Sequence, residues 1–207
     1  MRRILLISSL FFLSCTSTKL FNERIDFEIS NYGISGNDTL VDIGCGFVYY
    51  DRIISHKFPD LHFILEDLPF DIWNDDLRKI LKRNVINSPF APNFQTNSRV
   101  IFGTTDTIPL DSEKYKLVLC RIALHEFSFR QKMTSELSRI LTSSGTLVIV
   151  EKISSYKGET DKKCKQLYLT KEEVINSFNN LQLIDTIQLQ PLSENGMVFK
   201  FKKKTYS

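Results

Sequence analysis

Short apolar runs and helix-like segments alternate along most of this chain. The apolar runs predict five buried strands, at Thr39–Ile43, Leu61–Leu65, Val100–Phe102, Leu117–Cys120 and Thr146–Val150. Segments with apolar residues at helical spacing lie between and after them, at Val48–Phe58, Ile72–Arg83, Arg130–Leu141 and Lys171–Phe178. Because such alternation joins parallel strands through helices on both faces of a sheet, the pattern predicts an α/β fold, a Rossmann-like three-layer sandwich.

Two more strands are predicted after the last helix, at Leu183–Leu189 and Met197–Lys203. In the second of these, Phe199 and Phe201 alternate with lysines, which predicts an edge strand with one solvated face. Upstream, the sequence Ser143–Gly145 is expected to end the helix Arg130–Leu141, with the glycine in a left-handed conformation.

A turn with two glycines follows the first strand, in the sequence VDIGCG from Val41 to Gly46. Gly44 and Gly46 permit positive φ and let a ligand approach the bare backbone. The helix predicted directly afterwards would supply unpaired N–H groups and a positive dipole end. Since ligands of open α/β sheets bind at the carboxyl ends of the strands, this turn is expected to border the ligand site.

From Thr39 to the C-terminus, the chain resembles the class I S-adenosylmethionine-dependent methyltransferases. The resemblance rests on VDIGCG, on ILEDLP at the end of the second strand, on IPL before YKLVLC, and on RILTSSGTLVIVE. It implies a mostly parallel seven-stranded sheet with a C-terminal antiparallel hairpin turning at Ser193–Gly196. It also implies S-adenosylmethionine as the cofactor, bound by Gly44 and Gly46, and methyl transfer to an oxygen or nitrogen of a small molecule.

The resemblance assigns further cofactor contacts to acids at three strand ends. Asp67 corresponds to the family's ribose-binding acid, with Glu66 as the neighbour that could replace it; alternatively Asp67 caps the following helix. Asp42 is expected to hold the glycine turn and approach the amino-acid end of the cofactor, or else only to cap the turn. Asp106 is the acid nearest the family's position after the third strand.

Three positions differ from the family pattern. Val48 stands in place of a third glycine, where a β-branched side chain is expected to crowd the methionine end of the cofactor. Thr104 and Lys116 stand where acids are usual. These differences leave open a second hypothesis, a membrane-anchored protein that binds a ligand in the same fold without catalysis. A nicotinamide-dependent oxidoreductase is less favoured, because its G-x-G-x-x-G pattern would require glycine at Tyr49.

Methyl transfer from a sulfonium depends mostly on alignment of the nucleophile. A hydroxyl or carboxyl acceptor can also need a base, and His125 in ALHEFS is the candidate. O-methyltransferases with the DLP sequence have a catalytic histidine in a similar setting; the alternative is a structural histidine beside a solvated Glu126. Arg121 is a candidate for an acidic substrate or for the cofactor carboxylate, with a surface arginine as the alternative.

The charge is nearly balanced, with 27 basic and 24 acidic residues among 207, and it offers no argument for nucleic acid. None of the four cysteines has CxxC spacing, and nothing in the sequence groups His56 and His62 as ligands. The sequence therefore predicts no metal site. We expect a monomer acting on a small molecule.

The N-terminus has a signal-peptide layout. A basic start, Met1–Arg3, precedes the apolar stretch Ile4–Leu13, and Cys15 follows in the sequence FLSC, which resembles the lipobox of bacterial lipoproteins. This predicts a signal peptide at 1–14, a lipid on Cys15, a linker and helix at 15–36, and a methyltransferase-like domain at 37–207. The expected location is the membrane surface facing the periplasm, or the cytoplasm if the signal is not used.

Overall fold

The computed structural model describes residues 22–69, 91–154, 156, 158–161, 164–189 and 195–205. Their helices are α1 (22–30), α2 (Tyr49–Lys57), α3 (Arg130–Ile140) and α4 (Lys171–Asn176), with one 3₁₀ turn at Leu124–Glu126. Their strands are β1 (Thr39–Ile43), β2 (His62–Asp67), β3 (Ser98–Phe102), β4 (Tyr115–Arg121), β5 (Leu141–Lys152), β6 (Leu181–Gln188) and β7 (Gly196–Lys203). The signal segment with Cys15, the predicted helix Ile72–Arg83 and the first two residues of the turn Ser193–Gly196 lie outside the described residues.

The seven strands form one sheet in the order β3-β2-β1-β4-β5-β7-β6. The first five strands in this order pair in parallel, while β7 is antiparallel to both β5 and β6. The predicted α/β Rossmann-like fold, with a mostly parallel sheet and a C-terminal antiparallel hairpin, is confirmed. The order of the strands changes direction between β1 and β4, and a crevice opens at such a switch point.

Each face of the sheet has its own hydrophobic core, because inward and outward residues of a strand alternate. On one face, strand residues such as Val118 and Ile149 pack against Met133 and Leu137 of α3. On the other face, residues such as Leu119 pack against α1 and α2. The helices therefore cover both faces, and the central strands are buried on both sides.

Helix α1 packs on the same core as the sheet, through the buried residues Ile25, Ile29 and Tyr32. The part of the predicted 15–36 segment that the structure describes is therefore integrated with the domain that follows it. No helix in the described ranges is long and apolar enough to cross a membrane.

Two local predictions were wrong. Strand β7 is not an edge strand, because it lies between β5 and β6, and its own residues Phe199 and Phe201 are both buried. Gly145 does not end a helix in a left-handed conformation: α3 ends at Ile140, and β5 begins at once. Glycine is needed there for space, since a Cβ at Gly145 would lie 2.9 Å from the carbonyl oxygen of Tyr115.

Candidate cofactor-binding site

A cavity of about 570 Å³ lies at the carboxyl ends of β1, β2 and β4. This volume is within the usual range for a small-molecule site. Its polar lining includes Asp42, Glu66, Asp67, Arg121 and Glu126, and its apolar lining includes Phe47, Tyr49, Tyr50, Ala123, Phe127 and Met133. The turn from Gly44 to Gly46 forms part of the wall.

The glycine turn after β1 needs both glycines, for different reasons. Gly44 (φ 73°) and Gly46 (φ 54°) have left-handed backbones, which side chains disfavour. A Cβ at Gly44 would lie 2.6 Å from Cβ of Ala123, so the loop after β4 approaches this backbone directly. A Cβ at Gly46 would meet no atom within 4 Å, which leaves its face of the turn open. The N–H groups of Gly44 and Cys45 are held by the carbonyl oxygen of Glu66.

Val48 does not crowd this cavity, contrary to the expectation from its branched side chain. It is 1% exposed, packs in the core between the sheet and α2, and is not among the cavity-lining residues. Its backbone is left-handed (φ 48°), at the N-cap of α2. The glycine usual at this position is therefore explained by the backbone conformation, which Val48 adopts with strain.

Asp67 lies at the end of β2 and lines the cavity. Its carboxylate accepts hydrogen bonds from the N–H of Gly46 at 2.8 Å and from the N–H of Leu68 at 2.7 Å. The two bonds fix the side chain beside the glycine turn. A carboxylate offers about four acceptor positions, so Asp67 retains capacity for two ligand hydroxyl groups. Burial raises the pKa of Asp67, and these two N–H groups offset part of that rise.

Glu66 precedes Asp67 and is buried against Gly103, whose hypothetical Cβ would overlap the Glu66 carboxylate. Burial, with a smaller contribution from the charge of Asp67, raises the pKa of Glu66 to about 7. Gly103 therefore leaves the space that lets Glu66 face the cavity rather than the solvent.

Asp42 and Asp51 form a buried carboxyl pair beneath the glycine turn. Burial raises the pKa of Asp42 well above its ordinary value, and the facing Asp51 raises it further. Burial likewise raises the pKa of Asp51, to about 7. Since two carboxylates cannot donate to each other, the pair holds a proton at neutral pH. Among the described residues, no donor reaches Oδ1 of Asp42, although this atom is buried and its residue lines the cavity.

Arg121 extends from the end of β4 into the cavity wall and pairs with Glu28 of α1. Its Nε donates to Oε1 of Glu28 at 2.7 Å, and a second guanidinium nitrogen approaches Oε2 at 3.3 Å. The Tyr32 hydroxyl donates to the same carboxylate. The guanidinium also stacks on Tyr50, 3.1 Å from the ring centroid. Arg121 is thus a fixed, largely buried cation rather than a surface arginine, and it ties α1 to the site.

His125 is not among the cavity-lining residues, and its side chain is almost fully buried. Nδ1 lies 3.0 Å from a carboxylate oxygen of Glu151, and Nε2 lies 3.5 Å from Sγ of Cys164. Burial alone would lower the pKa of His125, but the hydrogen bond and charge of Glu151 raise it overall. The proposed role of general base therefore receives no support from this geometry.

Asp106 is also outside the cavity lining. It is exposed and forms an ion pair with Lys132 at 3.0 Å, together with a hydrogen bond from Thr104 at 2.8 Å. These contacts lower its pKa. Of the predicted cofactor residues, the structure brings together Asp42, Gly44, Gly46 and Asp67, and it places Asp106 elsewhere. At the position near Asp106, the cavity is lined by Thr104 and Thr105 instead.

Two residues of the site, Asp51 and Glu28, were not predicted from the sequence. Both lie on the buried faces of their helices, since Asp51 is three residues from Ile54, and Glu28 is three residues from Ile25. An acid at an apolar helical position is rarely buried without a partner or a function. That spacing is the signal that would have identified them.

Comparison with known proteins assigns the family. A model of the methyltransferase domain matches residues 41–149, just over half of the 207-residue chain, and the chain belongs to this family. A curated relative, the uncharacterised methyltransferase YcgJ of Bacillus subtilis, is 24% identical over 110 residues. That alignment covers 53% of this chain and 39% of the relative, so the chain matches about two fifths of the relative's length.

Solved structures agree on the fold. A S-adenosylmethionine-dependent methyltransferase from Aquifex aeolicus aligns with a TM-score of 0.64 at 16% identity, over 86% of this chain and 88% of that one. Geranyl diphosphate C-methyltransferase from Streptomyces coelicolor, solved with S-adenosylhomocysteine, aligns with a TM-score of 0.66 at 15% identity, over 88% and 77%. The expected cofactor, S-adenosylmethionine, agrees with these neighbours.

Proposed function

We propose that this protein binds S-adenosylmethionine in the cavity at the ends of β1, β2 and β4, and transfers its methyl group to a small-molecule acceptor. The observation that carries the proposal is that Asp42, whose buried Oδ1 has no donor in the part of the chain that the structure describes, lines the same cavity as the glycine turn and Asp67. When bound, the cofactor would supply an activated methyl group on a sulfonium. The chain then has to bind the cofactor and the acceptor, orient them towards each other and exclude water.

The charges of the cavity suit this cofactor. Asp42, Glu66, Asp67 and Glu126 line it with carboxyl groups, whereas its one described lining cation, Arg121, is neutralised by Glu28. A ligand with an ammonium group and a sulfonium would relieve the repulsion among these carboxyl groups. Asp42 would accept from the ammonium group, and Asp67 would accept from the ribose hydroxyls while it holds Gly46.

The acceptor would enter past the apolar lining that Phe47, Phe127 and Met133 provide. Phe47 is 60% exposed, so an apolar side chain stands at the mouth of the cavity. We therefore propose an acceptor with an apolar body and a nucleophilic oxygen or nitrogen. Glu126, rather than His125, is the acidic group beyond β4 that lines the cavity.

Calorimetric titration of the chain with S-adenosylmethionine tests the cofactor proposal. We expect Asp67→Ala to weaken binding by roughly 10- to 100-fold, because it removes charge-assisted hydrogen bonds. Asp67→Asn keeps one oxygen for the N–H of Gly46, so its affinity for the cofactor should lie between those of the wild type and Asp67→Ala. Asp106→Ala is the matched control and should bind like the wild type. Absence of binding at millimolar cofactor would overturn the proposal.

Transfer itself requires a second measurement. The protein, incubated with S-adenosylmethionine carrying a labelled methyl group and with fractions of small apolar alcohols and amines, should release S-adenosylhomocysteine and a labelled product. Tight cofactor binding without release of S-adenosylhomocysteine in any fraction would favour the alternative hypothesis, a protein that binds its ligand without catalysis.

As an alternative to catalysis, we propose that Cys15 carries a lipid and holds the protein on the membrane surface facing the periplasm, where the cytosolic cofactor S-adenosylmethionine has no evident supply. The support is the basic start, the apolar stretch Ile4–Leu13 and the FLSC sequence. Labelling of cells with a fatty-acid analogue should mark the wild type and Cys45→Ala but not Cys15→Ala. Equal labelling of the wild type and Cys15→Ala would overturn the anchor and leave the cytoplasmic location.

A further inference from the structure

Beside the cofactor cavity, three side chains that can bind a metal converge on one point. A ring nitrogen of His125, a carboxylate oxygen of Asp161 and Sγ of Cys164 all lie within 4.8 Å of one another. Glu126 adds a fourth group, with Oε1 at 3.8 Å from Nε2 of His125. From these groups we propose a site for a divalent transition metal, Zn²⁺ in the first instance. His125, Asp161 and Cys164 are its ligands, and Glu126 is at the fourth position.

The spacing of these atoms suits the ion. In a tetrahedral zinc site the bonds to nitrogen and sulfur are about 2.0 and 2.3 Å long, which places those two ligand atoms roughly 3.5 Å apart. The Nε2 of His125 and Sγ of Cys164 are 3.5 Å apart in the structure. Imidazole, thiolate and carboxylate together form the mixed set that zinc accepts, whereas magnesium and calcium prefer oxygen alone.

The histidine is already oriented as a metal ligand. Its Nδ1 faces the fully buried carboxylate of Glu151 at 3.0 Å, and the backbone N–H of His125 donates to the other oxygen of Glu151 at 3.3 Å. With the ring proton on Nδ1, the lone pair of Nε2 points towards Cys164. A carboxylate behind a ligating histidine is the usual support of a metal-bound imidazole.

The other two ligands are bonded to each other. The N–H of Cys164 donates to Oδ1 of Asp161 at 3.2 Å, and backbone bonds join Asp161 to Lys165 and Gln166. The Tyr168 hydroxyl donates to Oδ2 of Asp161. This bond orients the carboxylate.

The same contacts also resemble a nucleophilic triad of Cys164, His125 and Glu151. The charges around the thiol favour the metal instead. Carboxylates of Glu126 and Asp161 lie close to the imidazole and the thiol, with Glu126 Oε1 3.8 Å from Nε2 of His125 and Asp161 Oδ1 bonded to the N–H of Cys164. A divalent cation would be stabilised by these carboxylates, whereas a nucleophilic triad makes no use of them.

Sequence reasoning predicted no metal site because the ligands lie in separate segments. His125 and Glu126 follow β4, while Asp161 and Cys164 come from the turn between β5 and α4. A spacing of three residues between an acid and a cysteine is no recognised motif. The fold brings the two segments together.

Titration of the metal-stripped, full-length chain with Zn²⁺, in competition with a chromophoric chelator, tests the proposal. We expect one equivalent to bind, and Cys164→Ser or His125→Gln to weaken binding by more than about tenfold. Glu151→Gln should weaken it by roughly 10- to 100-fold. Cys45→Ser and His62→Gln are the matched controls and should bind like the wild type. Circular dichroism verifies that each variant is folded.

Co²⁺ supplies a readout that loss of structure cannot imitate. The wild type should show a thiolate-to-cobalt charge-transfer band, which Cys164→Ser should lose and Cys45→Ser should keep. The proposal is overturned if Zn²⁺ binds the wild type no more tightly than Cys164→Ser, or if the band depends on Cys45. Rapid alkylation of Cys164 that Zn²⁺ does not slow would favour the nucleophile instead. None of these measurements needs S-adenosylmethionine, so they stand or fall independently of the proposed function.

Discussion

The loops after the two central strands, β1 and β4, build the crevice in different ways. The loop after β1, residues 44–48, shapes it mainly through its backbone, which is left-handed at Gly44, Gly46 and Val48. The end of β4 and the loop after it, residues 121–127, contain no glycine. The backbone is left-handed there at one residue, Ile122 (φ 53°), and the segment depends mainly on side chains that reach other segments. Arg121 extends to Glu28, and His125 extends to Glu151 and Cys164.

The difference between the two loops indicates which features of a site can be predicted from the sequence. A backbone that needs positive φ or close approach selects glycine, and closely spaced glycines after an apolar run can be recognised without a structure. Side-chain partnerships between distant segments leave no such local trace. The glycine turn of the first loop was therefore predicted from the sequence, whereas the partners of the second loop were identified only from the structure.

The largest effect is expected where the two loops touch. Gly44→Ala should lower the free energy of unfolding by roughly 2–5 kcal/mol, since it combines a left-handed alanine with a Cβ placed 2.6 Å from Ala123. Gly46→Ala has the backbone strain but open space, and should cost about 1 kcal/mol. Urea unfolding of both variants measures the difference.

Equal costs at Gly44 and Gly46 would contradict the close contact between the loops. Gly36→Ala is the control, because Gly36 has no positive φ and no atom within 4 Å of a Cβ. It should change the free energy of unfolding by less than about 0.5 kcal/mol.

A smaller effect is expected from Glu66, the buried acid near the end of β2 that lines the cavity. The pKa of Glu66 rises from 4.5 to about 7 on folding, so the folded protein holds a proton that the unfolded chain releases between these values. Stability is therefore present below pH 4.5 and is lost as the pH rises towards about 7. Glu66→Gln imitates the neutral form and should remove part of that loss, roughly 2–3 kcal/mol.

The measurement is urea unfolding of the ligand-free protein at pH 5 and pH 8. Because the pKa of Asp51 is also about 7, the free energy of unfolding of the variant should still decline somewhat as the pH rises. Glu113→Gln is the control: Glu113 is exposed, Lys203 lowers its pKa, and the variant should follow the wild-type curve. An unchanged decline in Glu66→Gln would mean that Glu66 is ionised in the folded protein.

The strand predictions succeeded because buried parallel strands are continuous apolar runs. Thr39–Ile43 was predicted with the observed bounds, and Leu117–Cys120 lies within β4. The prediction for Gly145 was wrong because glycine serves close packing as well as left-handed turns, and the sequence does not distinguish them. The edge position of β7 was wrong because Lys200 and Lys202 indicate a solvated face, not which strand is outermost.

The predictions of site residues succeeded where strand order fixes the position of the residue, and failed where contacts with distant segments fix it. Asp42 lies in β1, Gly44 and Gly46 follow it, and Asp67 ends β2. Strand order alone therefore brings these four residues together. Asp106 was chosen by its distance from β3 along the chain, but the turn beyond β3 directs it towards Lys132 on α3. Burial of His125 depends on Glu151 and Cys164, which lie 26 and 39 residues away. Local spacing cannot specify such contacts.

The smallest effect tests whether the first loop keeps its backbone requirement where its glycine is absent. At Val48, Ala retains the strain of φ 48° whereas Gly does not, so Val48→Gly should be more stable than Val48→Ala by about 1 kcal/mol. Both should be less stable than the wild type, because both lose a buried side chain. Val118 is the matched control: it is fully buried in β4 and has no positive φ, so Val118→Gly should be the less stable of its pair by about 0.5–1 kcal/mol. Thermal or urea unfolding of the four variants gives both orders. The same order at both positions would mean that Val48 is not strained, and that the backbone requirement of the loop after β1 is confined to its two glycines.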